Sequence, residues 1–426
     1  MGIIHVLFAA VNEPSHPDPQ SFESKATKFE LTLQAASQFM AAATNKSRFC
    51  IFTTTSIISI TLFLSSLHNL TNQIPIRHGP DDPPSFAYYI SGGQGDNDRV
   101  FRLLLAVYHP RNRYLLHLGT DASDDERGAL ADLIELVPAI RAFRNVDVMG
   151  KPNRINYMGS TNIADTLRAV AILLKIDHAW NWFIQLSPSD YPLVTQDDLA
   201  YVFSSVGRNY NFIDHTRKLG WKEAQRVQPI IVDPALYLAR KSQIFQATQR
   251  RPTPNAFTFF TGSPWAILSR QFLQFCIFGY DNLPRTMLMY FSNTILSQES
   301  YFHSVICNAP QFKNTTINSD LRFTIWDKPP KAEPHYLTTA DYEQMVQSGA
   351  VFARQFERDS PVLDLVDNKI LNRGKKLAAP GAWCTGWFTD LCARWGDVNL
   401  VKPGPQAKKL KNTTSNLVAS SSNQCR

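Results

Sequence analysis

The sequence predicts an α/β fold built on a mainly parallel sheet flanked by helices, and three observations predict it. Short apolar, β-branched and aromatic runs alternate with stretches of helical apolar spacing between Phe86 and Leu186, the pattern of successive βαβ units. These runs end in small or acidic residues at Ser91-Gly92, Gly119-Thr120-Asp121 and Ser187 to Asp190, as parallel strands do where their C-terminal ends form a ligand crevice. The composition, 44% apolar, 12% aromatic and 19% charged over 426 residues, belongs to a folded chain with a large core and not to a disordered one.

Taken from the N-terminus, residues 1–48 read as a cytosolic tail, with Met40 an alternative start that leaves a shorter one. Phe49 to Leu67 carries no charge and, at about 1.5 Å per residue, is just long enough to cross a hydrocarbon core of about 30 Å, although Ser and Thr dilute it. Lys46 and Arg48 stand directly before it, so the N-terminus is expected in the cytosol and the rest of the chain in a lumen. The expectation is a single-pass type II protein held in the lipid bilayer through residues 49–67. A cleaved signal peptide fits less well, because its apolar region is shorter and nearer the start. Residues 68–84, with Pro75, Pro80, Pro83 and Pro84, read as an extended stem.

The folded domain is placed at residues 85–395. Phe86 to Ile90 is its first strand, Arg99 to Val107 its first helix and Tyr114 to Leu118 its second strand. Ser123 caps a helix reaching about Val137, with Glu126 three residues on completing a capping box. Val146 to Met149 follows as a third strand, Ser160 to Leu174 as a helix, and Trp182 to Leu186 as a buried strand. From about Asn209 the periodicity is less clean. Phe257 to Phe260 and Trp265 to Leu268 suggest a mixed β region, and Gln271 to Phe275 and Glu299 to Ile306 look helical. Residues 396–426 read as a disordered basic tail, with five basic and no acidic residues between Lys402 and Arg426. That tail supplies much of the +7 charge, and the remaining basic residues are not interleaved with aromatics, so nucleic acid is not an expected partner.

Of six cysteines, Cys50 falls in the anchor and Cys425 in the tail, leaving Cys276, Cys307, Cys384 and Cys392 for two disulfides, with Cys384 and Cys392 closing the shortest loop. Asn314 and Asn412 head the better-placed glycosylation triplets, since Asn69 lies almost at the membrane. No Cys/His spacing suits zinc. The one D-x-D triplet, Asp96-Asn97-Asp98, stands before a helix as a capping loop does, and no metal is assigned to it.

Five segments then occur in order: Asn112-Arg113-Tyr114-Leu115-Leu116-His117-Leu118, Leu186-Ser187-Pro188-Ser189-Asp190-Tyr191-Pro192-Leu193, Thr261-Gly262-Ser263-Pro264-Trp265, Ser297-Gln298-Glu299-Ser300-Tyr301-Phe302-His303 and Phe352-Ala353-Arg354-Gln355-Phe356. Together they resemble the core-2/I-branching β-1,6-N-acetylglucosaminyltransferase and peptide O-xylosyltransferase family, above all its plant arabinogalactan β-glucuronosyltransferase branch, over about Phe86 to Trp387. The resemblance implies a GT-A-like glycosyltransferase domain, inversion at the transferred sugar, and no metal or other cofactor. It implies Glu299 as general base, although taken alone a Glu at a helix start is a first-turn carboxylate favoured by the dipole. It also implies Arg322 and Arg354 on the donor diphosphate, as an arginine fork suits phosphate.

Two departures stand out. Gln355 takes the place where relatives carry Lys, and Gly119 that of an acidic residue in the nucleoside region, with Asp121 a candidate to compensate. Ser91, Gly92, Asp121, Asp190 and Trp265 are assigned to the donor and sugar pocket, Asp190 either as a sugar-hydroxyl ligand or as a structural carboxylate. Trp265 and Trp221 are candidates to stack on sugar faces, or core residues. The implied reaction moves glucuronic acid from UDP-glucuronate to galactose of arabinogalactan glycans on glycoproteins, in the Golgi membrane. N-acetylglucosamine or xylose transfer, or glycan binding without turnover, are the alternatives.

Overall fold

Strand β1 (Phe86–Gly92) is the backbone about which the chain folds. The structure, a computed structural model, describes residues 75–237, 243–279, 281–387, 390–420 and 425. From β1 the chain runs through α1 (Asn97–Ala106), β2 (Arg113–Leu118), α2 (Asp124–Glu135), α3 (Pro138–Phe143), β3 (Val146–Val148), α4 (Thr161–Ile176) and β4 (Trp182–Leu186). It continues through β5 (Asp190–Pro192), α5 (Gln196–Phe203), β6 (Asn211–Ile213) and a ribbon of β7 (Pro229–Val232) with β8 (Phe245–Arg250). Then come β9 (Ala266–Ser269), α6 (Arg270–Phe278), α7 (Leu283–Phe291), α8 (Tyr301–Asn308) and β10 (Thr316–Ile317). The last elements are β11 (Arg322–Thr324), α9 (Tyr342–Gln347), β12 (Phe352–Arg354), α10 (Pro361–Lys369) and α11 (Pro405–Ala419).

The main sheet has seven strands in the order β10-β6-β9-β4-β1-β2-β3. β1 lies parallel between β2 and β4, and β3 extends the parallel run, while β9 is antiparallel to both β4 and β6. The domain is thus a mixed α/β fold with a mostly parallel sheet, as expected. Alternate residues of β1 supply two cores: Phe86, Tyr88 and Ile90 pack on one face of the sheet, Ala87 and Tyr89 on the other. Tyr88 stacks on Tyr114 across the β1/β2 pair at 5.2 Å, and each such buried side chain contributes roughly 1.5–3 kcal/mol of apolar burial. Ser123 and Glu126 form the predicted reciprocal capping box on α2.

Several expectations need correction. The C-terminal residues expected to be disordered include α11, which buries Ala407, Leu410 and Thr414, a helical i, i+3, i+7 stripe that the basic composition masked. Its entry is fixed on α5, where Asp197 accepts from the Lys402 amide at 2.9 Å and Asp198 from the Gly404 amide at 2.6 Å. Of the four cysteines expected to pair among themselves, Cys384 and Cys392 do so, but Cys307 pairs with Cys425 and Cys276 is a buried free thiol. Cys425 returns to the core beside His215, whose Nε2 accepts its amide at 3.1 Å, a return over 118 residues that spacing does not reveal. The proposed anchor at 49–67 and residues 68–74 of the proposed stem lie outside the described residues, among which no helix is long and apolar enough to cross a membrane.

Candidate active site

The parallel strands deliver their C-terminal ends side by side. Gly92 pairs with Leu118 and Ile90 with Leu186, so the loops after β1, β2 and β4 share one edge. Gly92 sits in tight quarters there: a Cβ would come within 3.0 Å of Asp96 Cβ and Val100 Cγ2 and 3.1 Å of Pro188 Cγ. Its carbonyl accepts the Gly119 amide at 3.0 Å, while Asp121 accepts the Gln94 amide at 3.0 Å. A side chain at position 119 would start 2.7 Å from an Asp121 carboxylate oxygen. Asp121 therefore already fills the space in which an acidic residue at position 119 would begin. Ser91, near the end of β1, meets His117 Nδ1 at 3.3 Å. Asp96 accepts the Gly93 amide at 3.0 Å and faces Arg99 at 3.3 Å and Arg358 at 3.9 Å, while Asp98 is exposed.

A second, three-stranded sheet, β11-β12-β5, collects the charged residues that the sequence left far apart. Its register sets Arg354 opposite Asp190 and Arg322 beside Phe352. Asp190 is 1% exposed and one of its oxygens accepts from Arg322 at 2.6 Å and from Arg354 at 3.2 Å. The other accepts the Ser187 amide at 2.6 Å and its hydroxyl at 3.0 Å. Both guanidiniums also lie over the Trp265 indole, at 4.7 and 4.6 Å from its centroid. Trp265 is thus a platform for the two arginines, and Asp190 is the carboxylate that neutralises them. Burial lowers the Arg322 pKa, opposed by the Asp190 and Asp320 charges, while burial raises that of Asp320. Arg354 donates to Ser187 Oγ at 2.6 Å and is the less enclosed of the pair, with 14% of its side chain exposed against 3% for Arg322.

Glu299 ends a short turn, Ser297–Glu299, directly before α8. The turn is stitched to two loops: the Glu299 carbonyl accepts the Gly262 amide at 3.0 Å, and the Leu296 amide donates to Met158 at 2.9 Å. Gln298 donates to the Tyr157 carbonyl at 3.0 Å. These bonds bring Tyr157 and the Trp265 loop to Glu299. The Glu299 carboxylate pairs with Arg226, each side chain 18% exposed. Burial raises the Tyr157 pKa, as do the Glu299 and Glu333 charges, while Arg354 and Arg226 lower it. Tyr157 therefore stands in the fields of both the acidic and the basic groups.

The structure thus joins Glu299, Arg354, Arg322, Asp190 and Trp265 around one region. It leaves Trp221 64% exposed, and places Gln355, expected beside the diphosphate, 3% exposed with its amide donating to the Pro334 carbonyl at 2.8 Å. Arg226 and Tyr157 were missed in the sequence, because both fall in weakly periodic loops where no motif marked them. Asn314 and Asn412 are both exposed.

The profile of one family, described as Core-2/I-Branching enzyme, matches residues 86–346. The chain is 52% identical over 350 residues to beta-glucuronosyltransferase GlcAT14A of Arabidopsis thaliana, covering 81% of this chain and 78% of that protein. It is 44% identical over 393 residues to GlcAT14B of the same plant, covering 91% of each, and 49% identical over 300 residues to GlcAT14C, covering 70% and 77%.

Proposed function

The chain belongs to the Core-2/I-branching enzyme family of glycosyltransferases, and from that premise we propose that it transfers glucuronic acid from UDP-glucuronate to galactose of arabinogalactan glycans, with inversion and without a metal. The observation that carries the donor reading is the 44% identity to a named β-glucuronosyltransferase across 91% of both chains. Glu299 takes the proton from the acceptor hydroxyl as its oxygen attacks the anomeric carbon. The bond to the diphosphate breaks, and Arg354 receives the departing charge, held in place by Asp190, Ser187 and the Trp265 face. Arg322 sits deeper and supports the same field. The loop edge at Ser91, Gly92 and Asp121 takes the nucleoside.

Charged side chains supporting the leaving group make a cation dispensable here, and Asp96 of the D-x-D triplet is already engaged by Arg99 and the Gly93 amide. The same reading sets the protein in the Golgi membrane, anchored at residues 49–67 with the domain in the lumen. Two disulfides support an oxidising compartment, and the exposed Asn314 and Asn412 suit glycosylation there. The test is UDP release by the full-length protein from a panel of UDP-sugars, with and without arabinogalactan acceptor. Acceptor-dependent release from UDP-glucuronate is expected. Turnover of UDP-xylose or UDP-N-acetylglucosamine alone would replace the donor, and none with any donor would leave a glycan-binding relative.

A further inference from the structure

Arg226 belongs to the short segment Glu223–Val227, and its guanidinium reaches into the site to pair with Glu299. Guanidinium has five N–H donors. Among the described residues Glu299 is the one hydrogen-bond partner of Arg226, so most of those donors have no protein acceptor. The other two arginines are differently placed: Arg322 and Arg354 are committed to Asp190 and stacked on Trp265. Tyr157 feels the charge of both Arg226 and Arg354, so the two guanidiniums border one region.

A hexuronate differs from a neutral hexose by one carboxylate. In a partly enclosed pocket that charge is unfavourable unless a cation meets it. We propose that Arg226 is the specificity-determining residue that receives the C6 carboxylate of the donor sugar, and that before donor binds the same guanidinium holds Glu299. The proposal rests on the reading of UDP-glucuronate as donor. The uronate carboxylate and Glu299 then compete for one guanidinium. A bound uronate draws Arg226 away from Glu299, leaving that carboxylate to accept the acceptor proton, whereas a neutral sugar leaves the pair closed. Donor identity is thereby coupled to availability of the base, through exchange of one ion pair for another with no covalent change.

Calorimetric titration of UDP, UDP-glucose and UDP-glucuronate into the full-length wild type, Arg226→Gln and Glu299→Gln tests this. Wild type is expected to prefer UDP-glucuronate to UDP-glucose by about tenfold or more, as a charge-assisted pair outweighs a neutral contact. Arg226→Gln should erase that preference and leave UDP affinity unchanged. Glu299→Gln removes the competing carboxylate, so it should tighten UDP-glucuronate several-fold and leave UDP-glucose where it was; a merely structural role for Arg226 does not produce that asymmetry. A preference that survives in Arg226→Gln, or equal shifts for both donors in Glu299→Gln, overturns the assignment while the donor reading stands. A wild type that turns over a neutral UDP-sugar and ignores UDP-glucuronate overturns the donor reading itself.

Discussion

The chain from β1 to β4 and the chain from β6 to β12 reach the same site by different means. In the first, regular parallel pairing sets the geometry: once Gly92 is in register with Leu118, Ser91 is fixed within β1 and the loop holding Gly119 and Asp121 has little freedom left. In the second, single long-range bonds do the work. Glu299 is placed by contacts from its own turn to Gly262, Met158 and Tyr157, and Arg354 by an antiparallel register with Asp190, 164 residues away in sequence. In the proposed mechanism the first region is therefore mainly a scaffold for binding, and the second carries the chemistry. Damage to the two should look different: lost stability or donor affinity from the first, lost turnover in a folded protein from the second.

Glu299→Gln is the sharpest test of that division and carries the largest expected effect. Gln keeps the shape of the side chain but cannot take a proton at neutral pH, so turnover should fall by roughly 10²–10⁴-fold while the melting temperature stays close to wild type. Steady-state UDP release in the presence of acceptor reads the loss. Near-normal turnover would move the base elsewhere, and a large drop in melting temperature would make the second region as structural as the first.

Asp190→Asn attacks the seam between the two regions. The carboxylate lies under two guanidiniums, and removing its charge leaves Arg322, almost fully enclosed, without its ion-pair partner and with only the Asp320 charge nearby. Breaking one side of a buried ion pair typically costs about 3–5 kcal/mol. Denaturant unfolding should show a loss of that order, together with weakened UDP binding through a displaced Arg354. A loss below about 1 kcal/mol would mean that the arginines find other partners and that the seam is not what holds the second region in place.

How much of this was legible in the sequence follows the same division. The strands Phe86 to Ile90, Tyr114 to Leu118 and Trp182 to Leu186, and the Ser123/Glu126 box, were readable because local periodicity and capping determine them. The segment containing Glu299 was readable only through its resemblance to a family, since a carboxylate at a helix start is otherwise unremarkable. Arg226 was not readable, because its pairing depends on a fold-back across 73 residues with no periodic signal on either side. Trp265 was readable as a sugar-stacking or a core residue, but its contact with two guanidiniums was not, because it depends on the β11-β12-β5 sheet and not on neighbours in sequence. Composition misled at α11, where three buried residues suffice to dock an otherwise polar helix.

A smaller effect compares the two regions through their histidines. Burial lowers the pKa of His109, between α1 and β2, to about 3, and lowers that of His303, in α8 beside the Glu299 turn, to about 3. Both stay neutral in the folded protein, whereas in the unfolded chain each titrates near the ordinary value of 6.5. Above pH 6.5 neither affects stability. As pH falls from about 6.5 toward 3, the unfolded chain takes up protons that the folded one refuses, so stability drops by up to about 1.4 kcal/mol per pH unit for each histidine. Denaturation midpoints between pH 7 and 5 should show the slope, and His303→Gln should flatten it by the share of one group. An unchanged slope would mean that His303 takes its proton in the folded state.

The smallest expected effect is that of chelation. A cation serving the leaving diphosphate would need a carboxylate pair at the strand ends, and the D-x-D triplet of the first region supplies the only sequence candidate. Its Asp96 is spent on Arg99 and the Gly93 amide, and its Asp98 is exposed. Asp190, in the position nearest the arginines, is spent on both of them and on Ser187. With positive charge already supplied by side chains of the second region, excess EDTA should leave the rate of UDP release within about twofold of the untreated rate, because in the proposed mechanism no transition-state charge depends on an ion. Loss of activity with EDTA and recovery with Mn²⁺ would shift the leaving-group chemistry to the first region. Asp96→Asn would then separate the possibilities: abolished Mn²⁺ rescue would place the ion on the triplet, and retained rescue would place it elsewhere.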